Sequence, residues 1–200
     1  YKECEDEAVA EVVEKQIEAG LPEVTDGEYS KSLWHLDFVW GLHGVERYIR
    51  DSGYFFEDKD CCSKFETRRD IGLRLVDKLS GKNHPFIDHF KRLKKLVNCR
   101  AAVKQCIPSP SHIFGEIINF GFLEDSYYKN EDDFEKDLVR SYKEFLDDFK
   151  EAGGEIIQFD DCLWEQFADE SENAQFDGEA RHDKNIALAE KYIAINNEVI

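Results

Sequence analysis

Three short apolar runs constrain this chain most. One begins near Val24 and ends in Asp26-Gly27-Glu28, one runs from Ala101 to Ile107, and one from Glu155 to Asp160. A helical pattern precedes each run and polar residues follow it directly. Helix, strand, loop repeated in this order describes βα units, and such units build a parallel sheet. Polar residues at the C-terminal ends of parallel strands are where α/β proteins place their sites.

The helical patterns carry their own punctuation. Residues 5–19 place Val9, Val12, Val13 and Ile17 on one face and end at Gly20. His84-Pro85 opens a second helix with Phe86, Phe90, Leu93 and Val97 on one side. Asn130 is placed to cap a third, bearing Phe134, Leu138, Phe145 and Phe149 and ended by Gly153-Gly154. A last pattern, Ile186, Ala189, Ile193 and Val199, runs to the end of the chain. Residues 45–80 mix aromatics, cysteines and alternating charge and are expected to form an excursion, a hairpin by their pattern. Pro108 and Pro110 are expected to end the second strand and stiffen a loop.

Two hundred residues suffice for one domain with a sizeable core, and no composition shift divides residues 1–200 into two. The net charge of −18 disfavours nucleic acid and anionic membrane surfaces, since phosphate contacts need clustered Lys and Arg. No apolar run approaches the ~18 residues of a membrane span. No signal-peptide pattern is visible, so the cytoplasm is the expected location. Six cysteines, at 4, 61, 62, 99, 106 and 162, form no CxxC and no framework, which reads as reduced thiols.

Two strand tips carry acids. Glu28 is expected to end the first strand, after Gly27, and Asp160-Asp161 to end the third. Tips of a parallel sheet converge, so Glu28 and Asp160 are candidates to face one ligand, for an ammonium group or for acid–base work. Their alternative role is to cap the turns that follow. Trp34, His35, Asp37 and Trp40 crowd the first loop, either as a pocket wall or as loop packing. Trp164 poses the same choice beside the third tip. Ser109 and Ser111, between prolines, are candidate hydroxyl or backbone donors to a ligand. Neither lies in a G-x-S-x-G elbow or a Ser-His-acid pattern, so neither reads as a nucleophile. No glycine-rich phosphate turn follows any strand; Gly153-Gly154 precedes one instead.

Residues 24–44, 104–111 and 156–164, in this order, resemble the cobalamin-independent methionine synthase-like family, and within it the short single-barrel members. The resemblance implies a (β/α)8 barrel of the methionine synthase and uroporphyrinogen decarboxylase type, of which this chain holds roughly the first half. Pattern alone leaves a doubly wound open sheet as the alternative. The resemblance further implies zinc-dependent transfer of a methyl group to homocysteine or a similar thiol. Glu28 and Asp160 then hold the substrate ammonium, while Trp34, His35, Asp37, Ser109, Ser111, Asp161 and Trp164 line the pocket. Asp161 departs from the glutamate usual in the longer enzymes of the family.

Zinc is the implied cofactor, because a Zn2+-bound thiol is deprotonated near neutral pH and becomes the nucleophile. The family's ligands, a His-x-Cys pair followed by an acid and a second Cys, are expected beyond Ile200, and none of the six cysteines matches them. The resemblance leaves the methyl donor open between a methylated folate, whose polyglutamate tail suits an acidic chain poorly, and S-methylated small molecules or a methyl group delivered by a partner. Two rivals stand beside this reading: thiol-alkyl transfer within the same superfamily, and a non-catalytic half-barrel that only binds a ligand or partner. A decarboxylase fits the three motifs less well.

Overall fold

The computed structural model describes residues 2–53, 55–57, 64–167 and 178–200; Cys61-Cys62 lies outside them. The first helix, α1 (Lys2–Glu18), buries Val9 and Val13. It stops where Gly20, at φ +76°, turns the chain so that the Gly20 and Leu21 amides bond the carbonyls of Ile17 and Gln16. Three strands then build one parallel sheet: β1 (Glu23–Val24), β6 (Ala102–Pro108) and β7 (Ile156–Asp160), in the order β1-β6-β7. Pro108 aligns with Asp160, so β6 and β7 end side by side. The β1 ladder stops at Val24, level with Val103 near the start of β6, and Glu28, expected to end that strand, lies in the turn beyond it.

Between β1 and β6 the chain leaves this sheet. After a short α2 (Leu36–Gly41), β2 (His43–Tyr48) pairs antiparallel with β5 (Gly72–Ser80), and β3 (Phe55–Glu57) with β4 (Lys64–Glu66). Ile71, Leu73, Leu75 and Leu79 point from the β5 segment into the main core. The next helix, α3 (Pro85–Val97), starts as its sequence implies: His84 caps it, with Pro85 in the first turn. Its Leu93 and Val97 meet Val9, Val13 and Val24 in a small second cluster.

The proline pair stiffens no loop. Pro108 is the last residue of β6, and Pro110 begins a helix, α4 (Pro110–Asn119), in place of a stiff loop. The Ser109 side chain accepts the His112 N–H as an N-cap, and a proline in the first helical turn loses no bond. Next comes α5 (Glu131–Glu151), which Asn130 caps by accepting the Asp133 N–H; it buries Phe134, Leu138, Phe145 and Phe149 as the periodicity implies.

In α6 (Gly178–Val199) the buried face was only partly anticipated. Tyr192, Ile195 and Val199 are buried, whereas Ile186 and Ile193 are exposed. In the main core α5 packs on the β5 ribbon and on α4 and α6, and Phe38 of α2 meets Phe86 of α3 and Tyr142 and Phe145 of α5 ring to ring.

The result is an α/β arrangement of parallel sheet and helices. Three parallel strands do not close on themselves, so the barrel is carried by the resemblance rather than by these strands. Among the described residues no helix is long and apolar enough to cross a membrane.

Candidate active-site cleft at the strand tips

Beyond the tips of β1, β6 and β7 lies an open cleft of about 470 Å3. Glu28, Trp34 and Asp160 line it together with Cys106, Gln158 and Cys162. Glu28 and Asp160 come from strands that are not neighbours, since β6 lies between them.

The β1 tip is pinned from behind. The Gln16 side-chain amide donates to the Thr25 carbonyl at 2.9 Å and accepts the Thr25 N–H at 3.0 Å, occupying the edge of β1 as a strand neighbour would. Beyond Thr25 the backbone turns through two left-handed residues, Gly27 (φ +64°) and Glu28 (φ +62°). Glycine adopts that conformation freely, but a glutamate pays about 1–2 kcal/mol. Local bonds hold the turn: Asp26 Oδ1 accepts the Glu28 N–H at 2.9 Å, and Thr25 Oγ1 accepts the Gly27 N–H at 3.2 Å. Lys31 Nζ then donates to Glu28 Oε1 at 2.6 Å.

At the β7 tip the two aspartates part. Asp160 stays at the cleft, its Oδ1 accepting from the Gln158 amide at 2.6 Å. Asp161 turns inward and accepts from the hydroxyls of Ser111 and Ser109 and from the Leu163 N–H. Burial alone would raise its carboxyl, but bonds from Ser111, Ser109, Leu163 and Trp164 together hold it below the ordinary carboxylate value.

Ser109 and Ser111, expected to line the pocket, are 1% and 0% exposed. Their hydroxyls are committed to Asp161 and to each other, and Asn196 of α6 binds both Ser111 N–H and its hydroxyl. Neither lines the cleft; together they join Asp161 to α6. Trp164 sits on a 3-10 turn (Leu163–Phe167), where its ring packs against Phe167 and Tyr192. Asp37 closes the first loop by accepting the N–H groups of Ser32 and Leu33. Trp40, raised with these residues, donates to the Gly72 carbonyl and stacks under Arg47.

His35 leads to a group that the sequence did not reveal. Its Nε2 is 3.3 Å from Glu116 Oε1, and His112 Nε2 is 3.7 Å from Glu116 Oε2. Trp34 lies over both imidazoles, with ring centroids 4.8 Å apart in each case. Burial lowers the pKa of His112 in spite of Glu116 beside it. The spacing of His112 and Glu116 along α4 is the one sequence signal for this group, and it looks like any i,i+4 pair. Lys31 was also missed, because a lysine three residues after a glutamate reads as an ordinary surface pair.

Among the described residues, no three His, Cys, Asp or Glu side chains converge as metal ligands would. The cleft cysteines lean away from thiolate character: burial, with Asp160 beside it, pushes Cys106 up to about 11, and burial with Glu165 raises Cys162.

No protein-family model matches the chain. Two uncharacterized proteins of Bacillus subtilis (strain 168), YxjH and YxjG, are 33% identical over 167 residues and 31% identical over 170. These alignments take in 83% and 84% of this chain but 41% and 42% of theirs. A solved structure from Listeria monocytogenes, provisionally named a vitamin-B12-independent methionine synthase, is 28% identical. It matches 100% of this chain and 51% of its own, with a TM-score of 0.67. The likeness is one of fold. In length, the chain spans about two fifths of the two curated relatives and half of the Listeria protein.

Proposed function

We propose that the cleft is the acceptor-binding part of a methyltransferase of the cobalamin-independent methionine synthase type, with homocysteine or a similar amino-acid thiol as substrate. The observation that carries this reading is the convergence of Glu28 and Asp160 on one cleft from separate strand tips. The fold likeness to the Listeria protein supports it.

In this reading the two carboxylates take the substrate ammonium, each by a charge-assisted hydrogen bond. Trp34 supplies an apolar wall against the substrate's carbon chain. Asp161, with Ser109 and Ser111, keeps the floor in shape without touching ligand. Zinc belongs to the proposed chemistry, where it would activate the acceptor thiol, but the described residues do not fit it. They lack a ligand cluster, and the Cys106 and Cys162 thiols are shifted towards the protonated form. What this chain contributes is recognition of the amino-acid end.

Glu28→Gln and Asp160→Asn test the assignment by calorimetric titration with L-homocysteine. Each is expected to raise Kd about tenfold or more, a charge-assisted contact being worth ~1.5–3 kcal/mol. Unchanged binding in both variants would sink it.

A further inference from the structure

Lysine is almost never buried unless it is paired, yet the side chain of Lys31 is only 2% exposed. Its ammonium is spent on three partners. One is Glu28 Oε1 at 2.6 Å, the second is the Cys106 carbonyl of β6 at 2.9 Å, and the third is the Phe86 ring, whose centroid is 5.2 Å away. Its own N–H bonds the Glu28 carbonyl at 2.9 Å, closing a single turn. Lys31 therefore has no donor to offer a ligand, and it does not line the cleft. Glu28 is its opposite, with a side chain 41% exposed that forms part of the cleft wall.

An exposed ion pair is usually worth little, because both side chains must give up freedom to hold it. Here one member is already immobilised by β6 and by α3, so only Glu28 has to be ordered. The pair also acts against the cost of the left-handed Glu28 backbone. Strain of that kind persists only where the surroundings over-determine it.

We propose that Lys31 is a positioning residue: it holds one oxygen of Glu28 against the β6 tip, leaves the other for a ligand, and offsets one of the two cleft carboxylates so that the cleft selects a ligand with a single ammonium over a dication. Only the choice of amino-acid ligand rests on the function proposed above.

The test compares Lys31→Met, which keeps the length and the packing on Phe86, with Lys31→Arg, which keeps the charge. Hydrogen exchange read by mass spectrometry over residues 24–34 reports the turn without any ligand. Exchange is expected to speed up about tenfold in Lys31→Met, the loss of one charge-assisted hydrogen bond, and to stay near wild type in Lys31→Arg. Titrations with L-homocysteine and with 1,4-diaminobutane read the selectivity. Lys31→Met is expected to lose about tenfold for homocysteine and to gain affinity for the diamine, with Lys31→Arg again near wild type.

Unchanged exchange in Lys31→Met overturns the inference, and so does a loosened turn with unchanged preference between the two ligands. If the unsubstituted protein ignores homocysteine while Lys31→Met loosens the turn and gains diamine affinity, the inference stands and the substrate reading falls. Lys31→Gln, which keeps a donor for the Cys106 carbonyl, carries the same comparison if Lys31→Met does not fold.

Discussion

His84 spends both ring nitrogens inside the core. Nδ1 accepts the Phe86 N–H at 3.1 Å and so caps α3, while Nε2 lies 2.8 Å from the Phe38 carbonyl, which makes it the protonated nitrogen of a neutral imidazole. The ring stacks on Phe38 at 4.6 Å and is 1% exposed. Burial pushes its pKa down to about 4, with the Phe38 carbonyl acting in the other direction. An unfolded His84 takes up its proton near 6.5 but the folded one waits until about 4, so the unfolded state binds more protons in between. Stability from this residue is therefore complete above about 6.5 and drains as pH falls towards 4, by about 3 kcal/mol at most. The urea midpoint is expected to fall between pH 7 and pH 4.5, and to fall less steeply in His84→Gln. Equal slopes in the two proteins would remove His84 from that account. The helix start was legible from His84-Pro85, but the capping bond and the neutral state were not, because the neutral state depends on Phe38 and Phe145 arriving from elsewhere in the chain.

Elements were legible where local chemistry marks their ends. The starts of α3 and α5, and the glycine stop of α1, follow from residues within one turn of the boundary. The helix α4 was missed because Pro-Ser-Pro-Ser satisfies two local rules at once, a proline-stiffened loop and a Ser-capped helix with proline in its first turn. Packing decided between them, since α4 lies against α5, α6 and the 3-10 turn. The turn leading from β5 to α3 shows the same dependence. A Cβ built on Gly81 would lie 1.9 Å from the Ser141 carbonyl oxygen of α5, a backbone atom that cannot swing aside. Gly81→Ala is expected to cost about 3 kcal/mol or more, at the upper end of overpacking losses, as read by urea denaturation. Wild-type stability in that variant would mean that the turn and α5 are not in contact.

At the scale of the whole molecule the net charge of −18 is the dominant electrostatic fact. Ion pairs such as Arg92 with Glu5 and Asp6, or Arg100 with Glu14, consume the cations beside α1. The carboxylates left over repel one another and oppose compaction. Raising sodium chloride from about 0.01 M to about 0.1 M shortens the screening length from about 30 Å to about 10 Å. The melting temperature is expected to rise over that range; a fall would show that the ion pairs outweigh the repulsion.

The sequence by itself determined that the strands are parallel, where α3 and α5 start, and that Glu28 follows the first of these strands closely while Asp160 ends the last. Each of these follows from a few neighbouring residues or from a periodicity along one element. Tertiary structure alone decided that Lys31 is buried on a carbonyl 75 residues away, that Asp161 turns inward while Asp160 does not, that Glu116 joins His35 to His112, and that α6 buries Tyr192. Burial and pairing between distant segments depend on which surfaces the fold brings together, and short-range patterns do not carry that information.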